Sequence, residues 1–143
     1  MLAAPDAPLP VTPAAHSVAH EPPIEMLHYL RKVMFPSLAN KERFHTVFFD
    51  RSHDYIADHS MGTGADSWLC FRLGDLFGKA LSLRASAIII AHNHPSGICR
   101  PSPRDIRETR RLATVGREVG IELLDHLIIT RHAAYSMRQG GHL

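Results

Sequence analysis

The chain has 143 residues, 45% hydrophobic and 21% charged, which suits one folded domain with a real core and asks for no second one. Its formal net charge of +2 is mildly basic, compatible with an acidic partner but too weak to argue for nucleic acid on charge alone. No apolar run approaches the length needed to cross a bilayer, and two cysteines without a secretion signal imply a reduced, cytoplasmic setting.

Residues Met1 to Pro23 are rich in Ala and Pro, lack the layout of a signal peptide, and read as a disordered tail ahead of a single domain over residues 24–143. Ile24, Leu27, Leu30 and Met34 recur every three or four residues until Pro36, so a short amphipathic helix is expected there, packed on the domain or holding a partner. The β-branched and aromatic run Glu42 to Asp50 predicts a strand. A turn around Ser52-His53-Asp54 and a second strand, about Tyr55 to Ser60, would complete a hairpin. Met61 to Gly64 reads as a glycine-bearing loop without the Lys and helix context of a phosphate loop. Leu73, Leu76, Phe77, Ala80 and Leu81 have the spacing of a helix laid against a sheet. Ala87 to Ala91 is continuously apolar, as a central strand covered on both faces would be. A helix from Pro103 to about Val119, closed by Gly120, is followed by a strand over Ile121 to Thr130 and a last one at Tyr135-Ser136-Met137.

The chemistry concentrates where the central strand ends, at Ala91-His92-Asn93-His94-Pro95-Ser96-Gly97. In extended chain, residues i and i+2 point the same way, so His92 and His94 can present two ring nitrogens to one point. Ser102 has the place of an N-cap, Pro103 that of the first helical residue, and Asp105 lies in the first turn. On helical spacing Asp105 shares a face with Thr109, Leu112 and Gly116, away from Arg104, Arg107 and Arg111. The carboxylate is thus aimed inward, where a cation would offset its burial. Two imidazoles and one carboxylate leave a fourth tetrahedral position open, as in catalytic rather than structural zinc sites. Against this, a strand-end His-x-His is often only polar termination, and an Asp behind Ser-Pro is what ordinary capping favours.

His92-x-His94, seven residues, Ser102, two residues and Asp105 together are similar to the JAMM signature of the MPN/JAB metallopeptidases. The stretches AHNHPSG, PSPRD and LLDHLIIT resemble the RadC branch of that superfamily, and the resemblance covers roughly residues 41 to 138. It implies an α/β fold, MPN/JAB-like and cytidine-deaminase-like, with a mixed curved sheet flanked by helices. It also implies Zn2+ on His92, His94 and Asp105, with Glu42, two residues before Phe44, as general acid/base. Ser102 would donate a hydrogen bond to the developing oxyanion. Asp125-His126 matches the family's Leu-Asp-His element and is expected to support the site as a buried hydrogen-bonded pair, although His126 could itself be a ligand. Gly62-Thr63 matches a further element, whereas Gly74-Asp75 stands where relatives usually carry Arg-Glu, leaving Arg72 as a substitute for that Arg.

The resulting expectation is a metallopeptidase or isopeptidase acting on a protein or peptide, with specificity in the loops Met61 to Asp66 and Ile98 to Arg100. The competing reading is a non-enzymatic module associated with DNA repair or mobile elements. The basic stripe Arg104, Arg107, Arg110 and Arg111 favours that reading if it steers nucleic acid or an acidic tail rather than facing water. The lack of room for a helix-hairpin-helix region before the first strand weakens it. No Cys-x-x-Cys is present, which argues against a zinc deaminase, and Cys99 reads as a loop thiol near the site. His16, His20, His28, His45, His53 and His59 lack ligand spacing.

Overall fold

The strand Ala87–Asn93, apolar through Ala91, is buried at every position, and the other elements assemble around it. The computed structural model describes residues 22–35, 41–64 and 73–143. In chain order their elements are α1 (Ile24–Met34), β1 (Glu42–Phe49), β2 (Tyr55–Gly64), α2 (Leu73–Ser82), β3 (Ala87–Asn93), α3 (Pro103–Glu118), β4 (Glu122–Ile129) and β5 (Ala134–Ser136). The strands make one five-stranded sheet in the order β2-β1-β3-β4-β5. Only β3 and β4 run parallel, joined through α3, so the sheet is mixed and the domain is α/β as expected.

Each face of the sheet is apolar because its central strands alternate side chains between two layers. Val47, Phe49, Ala87, Ile89, Leu127 and Ile129 face α1, which buries Leu30 and Met34 against them. Phe44, Phe48, Ile88 and Ile90 face the other way and meet Leu76, Phe77 and Ala80 of α2 and Leu112 of α3. The helix expected at Ile24 therefore packs on the domain itself.

The expected loop at Met61 to Gly64 is instead the second half of β2. Phe44 pairs with Gly62 and His45 with Ser60, leaving Met61 as the extra residue of a β-bulge. Gly62 takes φ 108°, so the glycine that suggested a strand end permits the strand to bend and continue. At the end of α3, Gly120 (φ 76°) donates to the Arg117 carbonyl and Ile121 to that of Gly116, a Schellman closure that turns the chain into β4. Except for Pro22 and Pro23, the tail reading falls outside the described residues, as do Arg72 and the Ala65-Asp66 end of one specificity loop.

Candidate metal centre and active site

The parallel pair sets where a site can form. The C-terminal end of β3, the N-terminus of α3 and, because β1 runs antiparallel to β3, the first residues of β1 all meet at one end of the sheet. His92, in the last turn of the pleat, is fully buried and its ring stacks on Phe44 at 5.1 Å between centroids. His94 lies just past the strand, in a turn closed by the Gly97 N–H to the His94 carbonyl at 3.1 Å, with Gly97 at φ 81°. His94 Nδ1 lies 2.9 Å from the Ile98 carbonyl oxygen. A carbonyl can only accept, so Nδ1 carries the proton, which leaves Nε2 of the neutral ring as a lone-pair donor.

Asp105 arrives from α3. The Ser102 N–H donates to Asp105 Oδ2 at 2.8 Å, and Ser102 Oγ accepts the Asp105 N–H at 3.1 Å, which completes a capping box. Capping and inward aim are thus one arrangement rather than alternatives, because the box holds the carboxylate toward the histidines. His92 Nε2 is 3.5 Å from Asp105 Oδ1, His94 Nε2 is 3.4 Å from Oδ2, and the two Nε2 atoms are 2.8 Å apart. A tetrahedral divalent cation with bonds of about 2.1 Å keeps its ligand atoms about 3.4 Å apart. The three side chains fit such an ion after small adjustments, and they could hold one.

Burial pushes the His92 pKa down to about 3; the Asp105 charge opposes that fall and His94 adds to it. The ring is therefore neutral, as a metal ligand must be. For His94, burial works against the cation, yet the Asp105 carboxylate, the Ile98 carbonyl and the Glu42 charge together raise its pKa.

Glu42, the first residue of β1, lines a cleft of roughly 440 Å³ together with His94, Ser102 and Asp105. Burial holds its carboxyl above the usual range; His94 and Arg104 pull it back and Asp105 pushes it further up. Asn93, which sequence reasoning passed over, anchors the backbone on either side of Glu42. Its Oδ1 accepts the Arg43 N–H at 2.5 Å and its Nδ2 donates to the Lys41 carbonyl at 3.1 Å, so the residue between the two histidines clamps both flanks of Glu42. The available signal was an Asn at the end of a buried strand that is apolar up to Ala91, where a buried amide must find partners.

The remaining expected residues are placed as follows. The His126 ring is fully buried behind His92, with Nε2 2.7 Å from His92 Nδ1. Its other nitrogen faces Thr109 Oγ1 at 2.7 Å, and burial lowers its pKa well below the ordinary value. Asp125 does not reach the cleft: its carboxylate accepts from the N–H groups of His126 and Arg138 and from the Ser136 hydroxyl, tying β4 to β5 and the turn after it. Cys99 points its Sγ at the Ile128 carbonyl, 3.4 Å away, and the group that could hold a metal among the described residues consists of His92, His94 and Asp105. Arg107, Arg110 and Arg111 are exposed on α3, whereas Arg104 departs from that stripe and lines the cleft.

The family model described as RadC-like JAB domain matches residues 21–142. A UPF0758 protein of Chloroflexus aggregans is 40% identical over 102 residues, 71% of this chain and 44% of that protein. One from Alkaliphilus oremlandii is 39% identical over 100 residues, 70% of this chain and 43% of its own length. One from Finegoldia magna is 36% identical over 99 residues, 69% of this chain and 44% of the relative. The chain thus spans less than half the length of the curated relatives it matches. With the family match over most of its length and a site at the sheet end where the motif residues converge, this chain belongs to the RadC-like JAB domain family.

Proposed function

We propose that this domain is a zinc-dependent amide hydrolase of the JAMM type, a peptidase or isopeptidase. The observation that carries the reading is the convergence of two imidazoles and a carboxylate, with His94 and Asp105 at the wall of a cleft that also contains Glu42 and Ser102 and His92 buried behind them. His92 and His94 through Nε2, and Asp105 through its carboxylate, would hold the zinc. The bound ion would polarise the scissile carbonyl and make water acidic enough to attack near neutral pH.

Glu42 takes the proton that the attacking water sheds and delivers it to the leaving nitrogen. A carboxyl whose pKa is raised by burial is a stronger base than a solvated one, which suits that task. Ser102 Oγ spends its lone pair on the Asp105 N–H and keeps its own proton for the oxyanion that develops on the substrate. The cleft wall adds Ile98, an exposed apolar contact, and the guanidinium groups of Arg100 and Arg104, which suit an extended peptide with an acidic or carboxylate-bearing residue.

Elemental analysis of protein purified without added metal tests this, with wild type compared to His94→Ala and Glu42→Gln. About one zinc per chain is expected in wild type and Glu42→Gln and none in His94→Ala, while Glu42→Gln loses hydrolysis across a panel of peptide and isopeptide substrates. Wild type that takes up no zinc even when it is offered overturns the reading, and active Glu42→Gln removes that residue from the mechanism.

A further inference from the structure

Behind the candidate metal ligands a line of buried hydrogen bonds runs from β3 through β4 to α3, the helix that carries Asp105. His92 Nδ1 lies 2.7 Å from His126 Nε2, His126 Nδ1 lies 2.7 Å from Thr109 Oγ1, and Thr109 Oγ1 lies 2.5 Å from the backbone carbonyl oxygen of Asp105. His92, Thr109 and His126 are each 0% exposed, so bulk water does not compete for these bonds.

Their direction follows from the end that has no choice. The Asp105 carbonyl can only accept, and two oxygens 2.5 Å apart repel unless a proton lies between them, so the Thr109 hydroxyl donates to Asp105. With its proton used, Thr109 Oγ1 accepts from His126, and Nδ1 of that ring carries its hydrogen. A neutral imidazole with a protonated Nδ1 is an acceptor at Nε2, so His92 Nδ1 donates to it. His92 then keeps its lone pair on Nε2, the atom that faces Asp105 and His94. His94 also carries a proton on Nδ1, given to the Ile98 carbonyl; its Nε2 lies 2.8 Å from that of His92, so in the zinc-free chain a second His94 proton stands between the two nitrogens, where the ion would replace it.

We propose that Thr109 and His126 are positioning residues of the metal centre, forming a one-way relay by which the Asp105 backbone selects the metal-ready tautomer of His92. The proposal rests on the metal reading above. The same helix residue would supply one ligand through its carboxylate and prepare a second through its carbonyl. Loss of the Thr109 hydroxyl frees His126 to protonate Nε2 instead, which reverses the bond to His92 and puts a proton on the nitrogen that must bind the ion.

Thr109→Val, nearly the same shape without the hydroxyl, tests this beside Thr109→Ser. Zinc affinity, measured by competition with a chromophoric chelator, is expected to fall about 10- to 100-fold in Thr109→Val and to return to wild type in Thr109→Ser. Long-range proton–nitrogen correlation spectra of the zinc-free, histidine-labelled full chain read the tautomers directly, with Nδ1 protonated on both His92 and His126 in wild type. Wild-type zinc affinity in folded Thr109→Val, failure of Thr109→Ser to restore binding, or an Nε2-protonated His126 in wild type overturns the relay. Should Thr109→Val not fold, Thr109→Ser and the wild-type spectrum decide. Absence of zinc binding in wild type overturns the hydrolase reading instead, and the zinc-free spectrum still judges the relay by itself.

Discussion

Asn93 shows how a single side chain can govern a site it does not enter. Its amide bonds both sides of Glu42 to the strand that carries the histidines, so the backbone that presents Glu42 is anchored to that strand by two hydrogen bonds. Asn93→Ala is expected to retain zinc at the wild-type level and to lower kcat at least tenfold, because misplacement of a catalytic group by about 1 Å can cost on the order of 100-fold. Metal content and turnover measured on the same preparation check this, and unchanged turnover in a folded variant would remove Asn93 from the positioning of Glu42.

Two elements are held in place by features away from the cleft. Asp58 of β2 accepts hydrogen bonds from Tyr29 of α1 at 2.6 Å and from Tyr55, and its Oδ2 lies 2.5 Å from His45 Nε2 of β1. Burial alone would raise the Asp58 pKa, but the bonds from His45, Tyr29 and Tyr55 outweigh it and bring it down from 3.8 to about 2. A depressed carboxylate pKa stabilises the fold above the unfolded-state value and loses that contribution as pH falls through the folded one. Asp58→Asn should therefore cost about 2 kcal/mol near neutrality, with the two proteins converging between pH 4 and pH 2. Urea midpoints across that range check it; a constant offset at all pH values would contradict the linkage. In the helices, a Cβ at Gly116 would strike the Ile121 backbone carbonyl, whereas one at Gly78 meets nothing within 4 Å. Gly116→Ala should lose about 2 kcal/mol through overpacking, while Gly78→Ala should gain about 0.5–1 kcal/mol from helix propensity. Opposite shifts in thermal midpoint are the expected result.

On the scale of the whole domain, an ion held by His92, His94 and Asp105 would tie the end of β3 to the first turn of α3, beside the start of β1. An ion that binds the folded chain alone stabilises it by mass action, by about 2.7 kcal/mol at a hundredfold excess over Kd. Zinc should raise the thermal midpoint of wild type by about 8 °C, leave Asp105→Ala almost unmoved, and lose its effect when a chelator is added. An equal rise in Asp105→Ala would locate the stabilising ion elsewhere.

Local patterns were enough for most of this architecture. The three-and-four spacing of Ile24 to Met34, the unbroken apolar run of Ala87 to Ala91 and the Ser-Pro start of α3 are short-range properties, and the elements they specify form where expected. The spacing from His92 to Asp105 is equally local, because a strand end, a short loop and a helix cap lie consecutively along the chain. What the chain alone did not determine depends on partners distant in sequence. Met61 to Gly64 continues β2 because β1 offers a bulged register, and His45 is buried because Asp58 and Tyr29 converge on it. Thr109 faces His126 only because α3 crosses over to the strand beside β3. Side-chain type and period are written in one dimension, whereas the pairing of buried polar groups is resolved only when separate elements close on one another and exclude water.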